Sequence, residues 1–545
     1  MSKKTKYVFV VGGVMSGIGK GIVTSSIGKN IQVRNGSIDL IKMDPYLNID
    51  AGTMNPMQHG EVYVTDDGGE IDVDFGHYAR ILGLNLLKSQ NITTGKVYRE
   101  VIRKERAGDY LGQTVQVIPH IVDEIKRRIR LVIEYKNPDA LLIEVGGTVG
   151  DIESLPYLEA IRQILMEEDE EDTLLVHTTF VPVPAHLGEP KTKPTQHSVK
   201  ELRSIGLNPD FIVCRSHDVL DEATERKVAL FCNVPQKAVF TLPDLDSVYS
   251  APYLLDQQGF GDMILQRLGL KLSKPDWKSW NELTDRYEKP IATVRIAMGG
   301  KYTQLIDSYI SVNEALKHAA AVHKYTVQID WIETEDIEKD PKHVKALDEY
   351  DGLLVPGGFG YRGTEGKMAM IQYARENNIP FLGLCFGFQL ATVEYARHVL
   401  KIPDATSFEF TMNGDVKSKN LVIDLLPEQK GVTDLGGTMN LGGQPVLVKK
   451  GTKTFELYGS TTIRERHRHR FEVNPEYIER FEKSGLVFSG TSEDKRRMEI
   501  LELPGHLFFF ASQFHPEFTS IPWKPNPLFK GFIDAAIERM KTKKN

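Results

Sequence analysis

The chain has 545 residues, of which 41% are hydrophobic and 26% are charged, a composition typical of a globular protein with two to four domains. Its formal net charge of −7 argues against nucleic-acid binding driven by bulk charge, and no apolar run approaches the roughly 18 residues that cross a membrane. With three cysteines and no signal-like N-terminus, the sequence predicts a cytoplasmic protein without a disulfide framework.

The first predicted strand, Tyr7–Val11, runs into a glycine-dense turn that reads GGVMSGIGKG over residues 12–21. Glycines let backbone N–H groups approach a polyphosphate, and Lys20 supplies a full positive charge. The spacing from Gly13 to Gly19 is one residue longer than in the common phosphate-binding loop, and Gly21 stands where a magnesium-binding Ser or Thr is expected. Taken alone, the turn fits a purely structural strand-to-helix connection equally well, and a metal would need carboxylates from elsewhere.

Apolar runs alternate with amphipathic stretches from residue 6 to about residue 245, which predicts a mostly parallel sheet with ligands at the carboxyl ends of its strands. The further predicted strands are Ser37–Met43, Ala140–Val145, Leu174–Val181, Phe211–Cys214 and Ala238–Leu242. The predicted helices are Lys20–Val33, Pro119–Glu134, Leu155–Met166 and Gln196–Ile205. We interpret the acidic run 166–172 as a solvated loop.

A polar stretch with prolines at both ends is interpreted as a linker over 271–290, between domains 1–270 and 291–545. A second alternating pattern follows it, with strands predicted at Thr293–Met298, Thr326–Ile332, Asp351–Val355 and Pro380–Leu384 and helices at Ser311–Val322 and Glu365–Glu376. The predicted fold class is therefore α/β, with two domains.

Cys385 lies in the segment GLCFG, directly after an apolar strand and before a helix-like stretch. Glycines on both sides of the cysteine permit the sharp bend of a nucleophile elbow, although a small buried cysteine is the simpler alternative. His515 and Glu517 follow the predicted strand Leu507–Phe510. Because a histidine and a nearby carboxylate can act as a general base and the group that orients it, Cys385, His515 and Glu517 are predicted to form a triad.

These motifs and the Pro-Gly-Gly loop at 356–358 resemble the class I glutamine amidotransferase family. The resemblance implies that glutamine is hydrolysed through a thioester at Cys385, with release of ammonia. It also implies an oxyanion hole made by the backbone N–H groups of Gly358 and Phe386, and a glutamine site made by Gln389, Glu409 and Arg470. The run RHRHRFEVN that contains Arg470 also fits a solvated charged strand.

Four strings resemble the CTP synthase family, and the likeness extends along essentially the whole chain: KMDPYLN from residue 42, GTMNPMQHGEV from 52, EVGGTVGDIES from 144 and KTKPTQHS from 191. The resemblance implies an N-terminal domain with a P-loop-type, Rossmann-like parallel sheet, in which ATP phosphorylates O4 of UTP, and ammonia then displaces the phosphate to give CTP. It also implies phosphoryl transfer assisted by Lys20 and Lys42, with Mg²⁺ held by Asp74 and Glu144.

The same resemblance implies two sets of nucleotide contacts. The ATP contacts are Gly17, Ile18, Gly19, Lys20, Gly21, Ile22, Asp74 and Leu245. The UTP and CTP contacts are Ser16, Asp151, Ile152, Glu153, Lys191, Thr192, Lys193, Pro194, Thr195, Gln196 and Lys227. Without the resemblance, KTKPTQ would be an ordinary basic loop.

The family resemblance further implies a homotetramer, GTP as an allosteric activator and CTP as a feedback inhibitor, and it leaves filament formation open. The chain departs from the family pattern at Gly17, Phe386, Phe388, Asn440 and the segment 183–190. The departures at Gly17, Phe386 and Phe388 leave backbone donors in place, so we expect activity to survive. Those at Asn440 and 183–190 leave the nucleotide and GTP responses open.

Two rival hypotheses remain at this stage. A phosphate-loop amidotransferase with another acceptor would share the loop and the triad, but it should lack the strings KTKPTQHS and GTVGDIES. A non-catalytic, filament-forming relative that only binds nucleotides is disfavoured by the intact set of Cys385, His515, Glu517, Lys20, Asp74 and Glu144.

Overall fold

The computed structural model describes residues 4–55, 59–184, 186, 188–300, 306–426 and 439–544. The chain folds into two compact units, one of Met1–Ala51 with His77–Thr284 and the other of Gly52–Gly76 with Asp285–Asn545. Two of the three unit boundaries fall inside the helices Asp74–Leu82 and Lys278–Glu288, and the third lies between Ala51 and Gly52. Within the described ranges, no helix combines the length and the apolar character needed to cross a bilayer.

A seven-stranded parallel sheet forms the centre of the first unit. Parallel strands are covered by helices on both faces, which explains why their sequences are nearly continuous apolar runs. The prediction of a parallel sheet is thereby confirmed. In spatial order the strands are Asn91–Thr93, Ile38–Asp44, Ala140–Val145, Lys6–Gly12, Thr173–Phe180, Phe211–Ser216 and Val239–Pro243.

The first unit contains several helices that the sequence did not predict. Thr94–Ala107, which includes the run RKERA, has only three buried residues and escaped prediction. The acidic run 166–172 is only partly a solvated loop, because Asp172 is buried and its carboxylate lies 2.5 Å from the Lys6 ammonium. The helices are Lys20–Gln32, Asp74–Leu82, Thr94–Ala107, Val122–Lys136, Leu155–Glu167, Lys193–Ser204, Glu222–Cys232, Ala251–Gln257 and Phe260–Arg267.

The segment 271–290 is more structured than its polar composition indicates, since it contains the helix Lys278–Glu288. Two buried indoles hold the start of this helix within the first unit. Trp277 donates from Nε1 to the Asp256 carboxylate at 2.5 Å, and Trp280 donates to the Tyr249 carbonyl at 2.9 Å. Buried indole N–H groups need such acceptors, so these tryptophans anchor the segment.

The second unit has a nine-stranded sheet, in which the first five strands are parallel and the remaining four are antiparallel. In spatial order they are Tyr325–Glu333, Ala292–Gly300, Gly352–Val355, Phe381–Leu384, Phe509–Ser512, Met498–Glu502, Val487–Thr491, Asn440–Val448 and Thr462–His469. A smaller sheet joins Thr406–Ser407, Leu421–Leu425 and Phe471–Val473. The helices are Ile310–Ala321, Thr334–Lys339, Thr364–Glu376, Phe386–His398, Phe408–Met412, Lys453–Tyr458, Pro475–Lys483 and Pro527–Lys544.

A short segment from the first part of the chain completes the second unit. Within it, Tyr63–Val64 pairs with Glu70–Ile71 as an antiparallel hairpin. Three arginines of the strand Thr462–His469 bind this segment: Arg464 to Asp66 at 2.8 Å, Arg466 to the Tyr63 hydroxyl at 2.6 Å and Arg468 to Glu70 at 2.9 Å.

Candidate active site

Cys385 lies at a sharp turn between the strand Phe381–Leu384 and the helix Phe386–His398. Its backbone has φ 49° and ψ −95°, a conformation that side chains rarely adopt and that is found at functional turns. Glycine is required on the helix side, because a Cβ atom at Gly387 would lie 2.2 Å from the Val355 carbonyl oxygen. The turn is therefore built around Cys385 as the sequence predicts.

His515 follows the strand Phe509–Ser512, which runs parallel to and beside the strand that carries Cys385. Since Leu384 and Ser512 are register partners, both functional residues leave the sheet at the same edge. A Cβ atom at Gly357 would lie 3.0 Å from His515 Cε1 and 3.8 Å from Cys385 Cβ, so all three residues share one small space. The fold thus brings the predicted nucleophile and base together.

The Glu517 carboxylate orients the His515 ring, with 2.6 Å between its Oε1 and Nδ1 of the imidazole. Burial works against a charged ring here, but the Glu517 carboxylate and the Cys385 side chain together raise the pKa of His515 to about 10. Nε2 of His515 makes no hydrogen bond of ordinary geometry to a described residue, which leaves it available to the thiol. His515 and Glu517 thus form a buried, hydrogen-bonded pair beside Cys385.

A cavity of about 500 Å³ opens at the triad. Its wall contains Gly358, Glu409 and Arg470, three of the residues that the resemblance assigns to the oxyanion hole and the glutamine site. Glu409 accepts a hydrogen bond from the backbone N–H of Gly360 at 2.6 Å, which holds the carboxylate at the wall. Gln389 is instead buried behind the wall, where its amide donates to the Phe471 carbonyl at 3.1 Å.

Sequence reasoning missed several contributors to this cavity, among them two from an early part of the chain. Met54 and Glu61 line it, although they precede the triad by more than 300 positions and lie in a string that was assigned to the other half of the chain. Gln513 also escaped notice, and its amide nitrogen lies 3.7 Å from Cys385 Sγ. No local pattern marks these residues, because only the fold places them beside the thiol.

In the first unit, the glycine-dense turn connects the strand Lys6–Gly12 to the helix Lys20–Gln32. Gly17 and Gly19 have φ values of 74° and 87°, which favour glycine. Lys20 folds back over Gly12, where an added Cβ atom would lie 2.6 Å from its Cδ, and its ammonium donates to the Gly147 carbonyl at 2.7 Å. The lysine is thereby held at the mouth of the loop.

Lys42 and Glu144 are register partners on adjacent strands, and their charged groups lie 2.7 Å apart in the interior. Two hydroxyl groups that the sequence did not single out also bind this carboxylate, from Thr24 at 2.9 Å and from Tyr78 at 2.6 Å. Carboxylate and hydroxyl oxygens are the donors that a hard cation prefers, so the residues present fit Mg²⁺. Asp74, the other implied ligand, begins the helix Asp74–Leu82.

The basic string KTKPTQHS lies at the start of the helix Lys193–Ser204, and this helix packs against the glycine-dense turn. An added Cβ atom at Gly13 would lie 1.5 Å from Ser198 Oγ, which in turn lies 2.9 Å from Nε2 of His177. Burial lowers the pKa of His177 to about 3, with a smaller contribution from Lys20. This helix and the phosphate-type loop are therefore neighbours.

The other nucleotide residues that the resemblance implies divide into exposed and interior positions. Thr192 and Thr195 are buried, and the Thr195 hydroxyl donates to the Phe180 carbonyl at 3.2 Å. Arg215, which sequence reasoning missed, lies against the loop, since a Cβ atom at Gly19 would be 3.3 Å from its Nε. The exposed positions are Ser16, Gly17, Asp151, Ile152, Glu153, Lys193 and Lys227, while Ile18 and Gln196 are buried and Gly21, Ile22, Lys191, Pro194 and Leu245 are half-buried.

Comparison with known proteins finds matches for both the N-terminal and the C-terminal part of the chain. Residues 6–270 match the family model described as CTP synthase N-terminus, and residues 304–535 match the model of class I glutamine amidotransferases. The chain is 55% identical to a CTP synthase of Thermococcus kodakarensis, over 98% of this chain and 99% of the relative, and 53% identical to one of Archaeoglobus fulgidus, over 98% of each. It is also similar to the solved glutaminase domain of the Trypanosoma brucei CTPS with bound acivicin, with 38% identity, coverage of 45% of this chain and 94% of that chain, and a TM-score of 0.42.

Proposed function

Because the chain belongs to the CTP synthase family, we propose that the residues around Cys385 release ammonia from glutamine and that the first unit uses this ammonia to convert UTP to CTP at the expense of ATP. The family is one of glutamine-hydrolysing ligases, which carry an amidoligase part and a glutamine amidotransferase part on one chain. The rival hypotheses of another acceptor and of a non-catalytic relative therefore lose their support.

One observation carries the proposal for glutamine: the triad lies at the wall of a cavity that also contains Glu409 and Arg470. In the proposed reaction His515 holds the proton of the Cys385 side chain, in keeping with its raised pKa, and the sulfur attacks the amide carbon of glutamine. The backbone N–H groups of Gly358 and Phe386 hold the oxyanion, which preorganised donors stabilise strongly. His515 then gives its proton to the departing amide nitrogen, which leaves as ammonia, and next takes a proton from the water that cleaves the thioester, so that glutamate is released and Cys385 is restored.

In the first unit we propose that Lys20 binds the phosphates of ATP and that Lys42 steadies the phosphoryl group during its transfer to O4 of UTP. Catalysis of such a transfer consists mainly of positioning and charge neutralisation. Glu144 and Thr24 would hold Mg²⁺ in this unit, whereas Asp74, which the resemblance also implies, belongs to the second unit. Bound Mg²⁺ would supply charge neutralisation at the phosphates. Ammonia then replaces the phosphate at C4 of the pyrimidine.

The substitution Cys385→Ala tests the division of labour. We expect CTP formation from glutamine to be abolished, while CTP formation from added ammonia continues at the wild-type rate. Cys232→Ala is the matched control, because it removes a buried thiol of the first unit that has no proposed role. Equal loss with both nitrogen sources would overturn the assignment of Cys385.

We also propose that the protein is cytoplasmic, forms a homotetramer on binding UTP and ATP, responds to GTP as an activator and is inhibited by CTP. Lys193 lies in the first turn of the helix Lys193–Ser204, and Lys20 lies in the glycine-dense turn beside this helix. Both support binding of a triphosphate, since lysine provides compact positive charge. Light scattering with and without UTP and ATP tests the tetramer, and glutaminase rates at increasing GTP concentration test activation.

A further inference from the structure

A buried group of metal-type ligands lies in the second unit, apart from the triad. His467 and His469 are on the strand Thr462–His469, and Glu499 is on the strand Met498–Glu502. One ligand atom from each lies within 4.8 Å of the others, and all three residues are buried. Catalysis as proposed above makes no use of them.

The spacing within the group suits a small cation as well as it suits the hydrogen bond between the two imidazoles. Nδ1 of His467 lies 3.2 Å from Nε2 of His469 and 3.5 Å from Oε2 of Glu499. In a tetrahedral zinc site with bonds of 2.0–2.1 Å, neighbouring ligand atoms lie about 3.3 Å apart. Two of the three separations therefore match the edges of such a tetrahedron.

The tautomer of His469 also fits a ligand. Its Nδ1 lies 3.0 Å from the Phe471 carbonyl, which can only accept, so Nδ1 carries the proton and Nε2 presents a lone pair to the group. Metal-binding histidines commonly donate their other N–H to a backbone carbonyl in this way. The Asn440 Nδ2 lies 3.0 Å from the same Nε2 and its Oδ1 accepts from Gln444 Nε2, so Asn440 would supply a fourth ligand only if both amides turned over.

Two polar atoms of the group lack the partners that buried atoms usually have. Among the described residues, Oε2 of Glu499 and Nε2 of His467 make no hydrogen bond. Buried polar atoms without partners are rare in native proteins and call for an explanation such as an ion. A cation bound between Nδ1 of His467 and the carboxylate would satisfy Glu499.

Charges of both signs surround the group. Burial keeps both imidazoles neutral, since it lowers the pKa of His467 far below its ordinary value and that of His469 to about 3. Burial likewise raises the pKa of Glu499 to about 8, a shift that Arg497 opposes and that Glu472 and Asp494 increase. The positive charges of Arg497 and His515 disfavour a bound cation, whereas the carboxylates of Glu472 and Asp494 favour one.

We propose that His467, His469 and Glu499 form a binding site for one divalent transition-metal ion of the zinc type. Imidazole and carboxylate are the ligands of several zinc sites, and neither Ca²⁺ nor Mg²⁺ would favour two nitrogen donors. The site adjoins the glutaminase centre, because the carbonyl of Arg468, between the two histidines, lies 3.6 Å from Cys385 Sγ.

Co²⁺ titration of the full-length Cys385→Ala protein at pH 8 tests the proposal, since this background removes the catalytic thiol as a competing ligand. We expect one equivalent of Co²⁺ to produce the visible absorption of a four-coordinate ion without a sulfur charge-transfer band, and Zn²⁺ to abolish it. Glu499→Gln and His469→Ala should each weaken Co²⁺ binding at least tenfold, whereas the exposed His343→Ala should not.

A second measurement separates ligand loss from misfolding. Zn²⁺ should raise the melting temperature of the Cys385→Ala protein and leave that of the isosteric Cys385→Ala/Glu499→Gln protein unchanged. Absence of the Co²⁺ absorption in the Cys385→Ala protein, or the same absorption and affinity after either substitution, would overturn the proposal.

Discussion

The substitution Glu517→Gln tests whether the carboxylate prepares His515 for catalysis. It keeps the shape of the side chain but removes the negative charge that lies 2.6 Å from Nδ1 of the imidazole. A hydrogen bond to a charged group contributes roughly 1.5–3 kcal/mol, and each 1.36 kcal/mol of barrier changes a rate about tenfold. We therefore expect the rate of CTP formation from glutamine to fall about 10- to 150-fold.

The assay compares steady-state CTP formation with glutamine and with ammonium chloride as nitrogen source. Only the glutamine rate should fall, because the substitution lies in the second unit and leaves the nucleotide residues of the first unit unchanged. Glu479→Gln is the matched control, since that carboxylate is exposed and paired with Lys483. A glutamine rate within twofold of the wild type, or an equal loss with both sources, would refute the reasoning.

Three further predictions follow from the same contacts. Lys20→Ala should stop CTP formation from either nitrogen source and leave glutamine hydrolysis, measured as glutamate release, within a few-fold; continued CTP formation would remove Lys20 from the mechanism. Gly387→Ala should lower glutaminase activity at least 100-fold but spare the ammonia reaction, because its Cβ would lie 2.2 Å from the Val355 oxygen. The pKa of His515 is raised from 6.5 to about 10, so its charge stabilises the folded state fully below pH 6.5 and this contribution disappears as the pH rises through about 10. Denaturant unfolding should therefore show a stability gap between the wild type and Glu517→Gln at pH 7 that narrows above pH 10, and a gap independent of pH would contradict the coupling.

The triad could be predicted from sequence because each of its parts is a local pattern. A glycine on either side of Cys385 predicts a sharp turn, and the structure shows why, since the neighbouring backbone leaves no room for a Cβ atom at Gly387. The parallel sheet could be predicted equally well, because buried parallel strands such as Ala140–Val145 are continuous apolar runs. The bounds of Ala140–Val145 agree with the prediction to the residue, the other predicted strands of the sheet differ by one or two residues at an end, and the edge strand Asn91–Thr93 was not predicted.

The contacts that surround the predicted site residues could not be predicted, because they join distant parts of the chain. Thr24 and Tyr78 are ordinary helix residues by sequence, and only the fold brings their hydroxyl groups to Glu144. The antiparallel half of the second sheet also escaped prediction. Its strand Thr462–His469 is so rich in arginine and histidine that it fits a solvated strand, yet His467 and His469 are buried.

The arginines of that strand explain why a contiguous division of the chain at 271–290 does not describe the second unit. Side chains alternate between the two faces of a strand, so Arg464, Arg466 and Arg468 share one face while His467 and His469 occupy the other. The arginine face is covered by the segment Gly52–Gly76, through Asp66, Tyr63 and Glu70.

Removing one partner of a buried ion pair costs roughly 3–5 kcal/mol, and the Glu70 carboxylate that binds Arg468 is almost fully buried. The same segment supplies Met54 and Glu61 to the wall of the glutaminase cavity. A single stretch of about 25 residues therefore both binds the arginine face and lines the cavity beside Cys385. Met54 and Glu61, which belong to the string from residue 52, contribute to the cavity wall, and Tyr63, Asp66 and Glu70, which follow that string, contribute the arginine contacts.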